Sequence, residues 1–130
     1  MSLLRSFAVS VSAMTAERYR MDVISANLAN ANTMRMNGQD PYRRRMVAVM
    51  ADGSGGVRIQ GTLEDASPFR VVHEPGNPYA DADGNVFYSN VDAITEMVDM
   101  ISASRAYEAN IQAFNLTKQM LQSALDIGRV

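Results

Sequence analysis

The placement of glycine and proline divides this chain before any other feature does. All four prolines (Pro41, Pro68, Pro75, Pro78) and seven of the eight glycines lie between Gly38 and Gly84, and the eighth is Gly128. The first 37 residues and the 43 residues from Asn85 to Ile127 contain neither type. Stretches of that length without a helix breaker can continue an α-helix that glycine would weaken and proline would stop. The punctuation predicts a helix, a broken middle and a second helix.

The N-terminal arm carries a matching stripe. Phe7, Val11, Met14, Met21, Ile24 and Leu28 are spaced for one face of a helix over residues 3–32, about 45 Å long. In the C-terminal arm, Ser89-Asn90-Val91-Asp92 fits a capping box with Ser89 as N-cap. A helix over 91–127 would span about 55 Å. Its main stripe is Met97, Met100, Ser104, Tyr107, Ile111, Phe114, Lys118, Leu121 and Leu125. Ile94, Val98 and Ile101 form a second stripe, and Leu116, Met120 and Ile127 a third. Such helices exceed a globule of this size, whose radius of gyration is about 14 Å. A helix apolar on several sides needs partners beyond one neighbour in its own chain. The middle reads as short strands: Tyr42–Met50 and Val57–Leu63 around an Asp52–Gly56 turn, then Phe69–His73, then extended loop. The expected fold class is α+β. Long terminal helices form an elongated coiled-coil-like pair, with a small irregular β-rich middle. The expected segments are 1–33, 34–89 and 90–130.

Composition narrows the function. Twelve basic and fourteen acidic residues leave a formal charge of −2, which argues against nucleic acid as a partner. With no cysteine and one histidine, thiolate chemistry, disulfides and Cys- or His-cluster metal sites are excluded. His73 beside Glu74 is the single candidate base, and no nucleophile motif accompanies it. Asp81-Ala82-Asp83-Gly84-Asn85 suggests a calcium loop, but glycine falls at position 4 and Asp92 at position 12, so it reads as a turn. Arg43-Arg44-Arg45 reads as a solvated edge strand, since alternate residues face opposite ways. Residues 7–16 are too interrupted by serine for a clear secretory h-region, and no stretch reaches transmembrane length. No catalytic residue, cofactor or metal is expected.

Two segments resist a bland account. Asn27, Asn30 and Asn32 occupy a helix end where Asn is a poor helix former. They read either as fraying or as carboxamides fixing register between helices. The small-residue run Ser102–Asn110 reads either as tight packing within the chain or as a face between subunits, with Arg105 and Glu108 spaced to pair.

Ala26–Thr33 (ANLANANT) resembles the N-terminal signature of the bacterial flagellar rod and hook proteins, and Glu96–Asn110 (EMVDMISASRAYEAN) their C-terminal signature. Tyr42-Arg43-Arg44 and Val72–Val91 resemble a proximal-rod member of that family. The likeness runs from about Leu3 to Gly128; the short Asp52–Gly56 turn departs from it. It implies a non-enzymatic structural subunit, stacked helically with copies of itself and other rod subunits into the periplasmic rod. It also implies passage through the flagellar export apparatus without signal cleavage, and no membrane insertion. Another axial component, or a self-contained helical adaptor or export chaperone, stays open as an alternative. On this resemblance Asn27, Asn30, Thr33, Arg105, Tyr107 and Asn110 are expected to pack subunits. Leu28, Met97, Ile101, Ile111, Phe114, Leu121 and Leu125 join them from the stripes. The arms are expected to be loose alone and ordered in the polymer.

Overall fold

No glycine or proline falls inside either helix. The computed structural model describes residues 2–129, in the order α1 (Leu3–Ala29), β1 (Arg45–Ala51), β2 (Val57–Glu64), β3 (Arg70–His73), β4 (Asn85–Tyr88) and α2 (Ala93–Ile127). The architecture is α+β: two long helices that pack together, and a small middle of short antiparallel strands.

Both inner helix ends differ from expectation for local reasons. α1 stops at Ala29, not residue 32. Asn30 turns its side-chain amide onto the Ala26 carbonyl at 2.8 Å. The backbone then tightens into three-residue bonds, Ala31 to Leu28 and Thr33 to Asn30. α2 begins at Ala93 because Asp92, not Ser89, is the cap. Asp92 Oδ1 accepts from the Ile94 N–H at 3.2 Å, Oδ2 accepts from the Thr95 hydroxyl at 2.7 Å, and the Asp92 carbonyl takes the first helical bond from Glu96. Those donors hold the Asp92 carboxyl below the usual aspartate range, the Thr95 hydroxyl foremost. Ser89 is buried. Its N–H donates to the Thr33 carbonyl and its hydroxyl accepts from the Val91 N–H.

β1 and β2 form a two-stranded sheet, as the alternating segments around Asp52–Gly56 suggest. Asp52 Oδ1 organises the turn, accepting from the Ser54 N–H, the Ser54 hydroxyl and the Gly56 N–H. Space is tight at Gly56: a Cβ there would meet Asp52 Oδ2 and Ser12 Oγ at 2.7 Å, so both side-chain ends would have to shift. β4 falls where an extended loop is expected. It pairs antiparallel with β3 in the register Arg70–Tyr88 to His73–Asn85, and its other edge bridges to Met34. The Asp81 carboxylate accepts from the Asp83 and Asn85 N–H groups, so this segment is the expected turn. His73 is exposed, with Nδ1 3.3 Å from Asn85 Oδ1.

The molecule divides into two compact units. The first gathers α1 up to Met21, Val47–Gly61 and α2 from Ile101 onward. Its core is thin: Ala16 and Ala103 are buried, and Phe7 meets Phe114 edge to face with centroids 4.8 Å apart. The second comprises Asp22–Met46 and Thr62–Met100, with Ile24, Ala31, Val86 and Val91 buried. Arginines cover its aromatics: Arg35 lies over Phe87, Arg43 over Phe69 and Arg70 over Tyr88, at 4.2–4.7 Å from the ring centroids.

Ala103 has no exposed surface, so there is no room for a larger side chain. Ala103→Leu should lower the unfolding free energy measured in urea by about 1–3 kcal/mol through overpacking. The same change at exposed Ala113 should stay within about 0.5 kcal/mol of the parent protein.

Candidate assembly surface

The second unit is tied by one polar cluster around Asn27, a residue 1% exposed. Its Nδ2 donates to the Arg45 carbonyl at 2.8 Å and to Glu96 Oε2 at 3.1 Å. Its Oδ1 accepts from the Arg45 N–H at 3.0 Å and the Tyr42 hydroxyl at 2.8 Å. Two donors and two lone pairs are all used, which makes an otherwise costly buried amide tolerable. Glu96 is likewise 1% exposed, and its Oε1 accepts a close hydrogen bond from Arg44 Nε. The same guanidinium reaches Asp65 Oδ2 at 3.5 Å and Asp99 Oδ2 at 3.3 Å. Asn90 completes the cluster. Its Oδ1 accepts from the Arg44 N–H at 2.7 Å, and its amide donates to the Asp65 and Ser67 carbonyls.

The titration shifts follow from these contacts. The hydrogen bond to Glu96 raises the Arg44 pKa above its ordinary value, against the opposing effect of burial. Burial raises the Tyr42 phenol, with the Arg45 charge pulling the other way. The Ser67 hydroxyl and N–H, more than Arg44, hold the Asp65 carboxyl low. The expectation of a solvated arginine run is corrected here. Arg43 and Arg45 lie over rings, at Phe69 and Tyr42, while Arg44 enters the cluster.

The residues expected to pack subunits fall into two groups. Asn27, Asn30, Thr33 and Asn110 direct their polar atoms within the molecule. Asn110 donates to the Ala106 carbonyl at 2.8 Å, and the Thr33 hydroxyl bonds the Asn30 carbonyl and the Tyr42 N–H. Leu28, Tyr107, Phe114 and Leu121 are half-buried. Met97, Ile101, Arg105, Ile111 and Leu125 are exposed, and among the described residues Arg105 forms no ion pair with Glu108. Sequence reasoning missed Tyr42, Arg44, Asp65, Glu96 and Asp99. One signal was available: Glu96, Met100, Ala103 and Tyr107 share a helix face at i, i+4, i+7 and i+11, which places a carboxylate in phase with apolar and aromatic side chains.

Opposite that face, α2 carries apolar side chains that no other part of the molecule shields. Ile94, Met97, Val98 and Ile101, at i, i+3, i+4 and i+7, are 55–73% exposed. Further along α2, on an adjoining side of the helix, Leu116, Met120 and Ile127 are 54–76% exposed. Among the described residues, no three His, Cys, Asp or Glu side chains converge as metal ligands, and no helix is long and apolar enough to cross a membrane.

Two family models match. "Flagella basal body rod protein" covers residues 7–35, and "Flagellar basal body rod FlgEFG protein C-terminal" covers residues 82–127. Among curated relatives, the flagellar basal-body rod protein FlgC of Bacillus subtilis is 45% identical, with 99% of this chain and 100% of the relative aligned. That alignment runs over 150 positions against 130 residues here, so the relative carries additional residues. The FlgC proteins of Salmonella typhimurium and Borreliella burgdorferi are 40% and 39% identical over 98–100% of each sequence.

Arg44→Met leaves the buried Glu96 carboxylate without its cation and should cost about 3–5 kcal/mol in urea unfolding, and the double variant with Glu96→Leu should recover part of that loss. Acid gives a second check. The Asp65 carboxyl titrates lower in the folded protein than in the unfolded one. Its stabilisation is therefore complete above the ordinary aspartate value of about 4 and is lost as pH falls through the lower folded value. The urea midpoint of Asp65→Asn should depend less steeply on pH over that acid range.

Proposed function

The chain belongs to the FlgC family of flagellar basal-body rod proteins, and on that premise we propose how it serves as a structural subunit of the rod. It packs helically with copies of itself and with other rod subunits in the proximal, periplasm-crossing part of the shaft, around the export channel. The observation that carries this reading is the exposed apolar sector of α2. A helix end with no tertiary cover is marginal in water. Burying Ile94, Met97, Val98 and Ile101 against neighbouring helices removes apolar area from water at about 25 cal/mol per Å². The second unit, fixed by Asn27, Arg44 and Glu96, presents the start of that sector on an ordered base. Torque then passes through packed side chains, with no bond made or broken.

Export through the flagellar apparatus in an unfolded state suits this construction. With no cysteine, no disulfide has to be opened before threading. Asn27, Asn30 and Thr33 contribute to assembly indirectly, by setting where α1 ends. Met97, Ile101, Arg105, Ile111 and Leu125 contribute directly.

Val98→Asp and Met97→Glu place charge in the exposed sector. Urea unfolding of the isolated protein should change by no more than about 0.5 kcal/mol, whereas motility and recovery of the protein with basal bodies should be lost. A species of fixed mass with a single partner and unimpaired motility would instead favour a closed helical adaptor.

A further inference from the structure

Met36 and Gln39 bracket a two-residue turn whose central residues are Asn37 and Gly38. The Met36 N–H donates to the Gln39 carbonyl at 3.2 Å, and the Gln39 N–H to the Met36 carbonyl at 2.9 Å. Asn37 has φ 52° and Gly38 φ 78°, the left-handed pair of a type I′ turn. Both residues are exposed, and no atom lies within 4 Å of where a Gly38 Cβ would stand. Among the described residues the Gly38 N–H has no hydrogen-bond acceptor.

We propose that Asn37–Gly38 is a self-modification site, at which the protein deamidates and rearranges its own backbone. The Gly38 amide nitrogen, after losing its proton to solvent base, attacks the carbonyl carbon of the Asn37 carboxamide. A new bond forms between that nitrogen and that carbon, the bond from the carbon to Nδ2 breaks, and ammonia leaves. The product is a five-membered succinimide. Water then adds to either of its two carbonyls, opening the ring to aspartate or to isoaspartate. Asparagine and water are consumed and one ammonia is released, with no change in oxidation state.

Three observations single out this position. The other eight asparagines precede residues whose side chains crowd the attacking nitrogen, or proline, which has no N–H. The two Asp-Gly pairs are disfavoured by their contacts. Asp52 is held by Ser54 and Gly56 donors that keep it an ionised, poorly electrophilic carboxylate. At Asp83–Gly84, the glycine N–H is engaged by the Asp81 carbonyl at 3.0 Å. At Asn37, among the described residues, no hydrogen bond of the Gly38 N–H itself has to be given up before attack, and asparagine is among the thermolabile side chains.

The consequence is local and structural. Isoaspartate adds one methylene to the backbone, which a two-residue turn cannot absorb without opening the Met36–Gln39 pair. Either product also adds a negative charge beside the Arg35–Asp40 ion pair, which closes the same turn at 2.8 Å. Arg35 in turn donates its N–H to the Phe87 carbonyl, at the edge of β4.

The test is ageing of the purified full-length protein at mildly alkaline pH, followed by peptide mapping and enzymatic detection of isoaspartate. Native protein should lose its side-chain amide at position 37 before any other asparagine, with isoaspartate among the products. Gly38→Ala should retain the amide for longer. The comparison is repeated in urea, so that a folding defect in the variant does not mask its chemistry. The proposal is overturned if another asparagine reacts first, if the folded protein is inert while the unfolded one reacts, or if Gly38→Ala in urea reacts as fast as the parent.

Discussion

The hydrogen-bonded contact between Asn27 and Glu96 is the interaction on which the ordered part of this chain depends. Two residues distant in sequence, one near the end of α1 and one near the start of α2, are both 1% exposed and both polar. Neither is tolerable there alone. The amide is completed by the Arg45 backbone and the Tyr42 hydroxyl, and the carboxylate by Arg44. The segment between α1 and β1 is thereby fixed at both of its ends. Such a cluster stabilises little relative to a well-packed apolar alternative of the same shape. It does specify one arrangement, because any other register leaves a buried donor or charge without its partner.

Specification matters here because apolar burial is scarce. Among the described residues, the buried hydrophobic ones are Ala16, Ile24, Ala31, Val86, Val91 and Ala103, and three of these six are alanine. Larger apolar side chains are present but lie outside the core, along the exposed sector of α2 and at Leu4, Val11 and Tyr19 of α1. An isolated globule would be expected to bury them. A family whose relatives are named as rod proteins accounts for that distribution, since a subunit retains apolar faces for its neighbours.

Much of the fold was legible because glycine and proline act locally. Their absence from 3–29 and 93–127 and the Asp52–Gly56 turn placed the helices and the hairpin to within a few residues. The helix boundaries were less legible because several residues offered the same chemistry. Ser89 and Asp92 are both good caps; Asp92 accepts from the Ile94 N–H inside the helix, whereas the Ser89 hydroxyl accepts from the Val91 N–H before it. β4 was hidden by the turn beside it, which drew Asn85 into a loop reading although Val86-Phe87-Tyr88 suits a strand. The polar cluster was least legible. Asn27 is a poor helix former by propensity, and Arg44 sits in a run that reads as solvated. Their roles arise from long-range partners at positions 65, 96 and 99, which no local pattern encodes.

Residue-resolved hydrogen exchange on the isolated protein tests most directly whether the buried cluster orders the subunit. Slowest exchange is expected in the helical turns around Asn27 and Glu96, where the cluster must open first. Little protection is expected in the last turns of α2 beyond Leu121, where every described residue is exposed. Equal protection along the whole of α2, with no maximum near Glu96, would contradict this. The helix would then be held by its own propensity or by self-association, and the polar cluster would not be what orders the subunit.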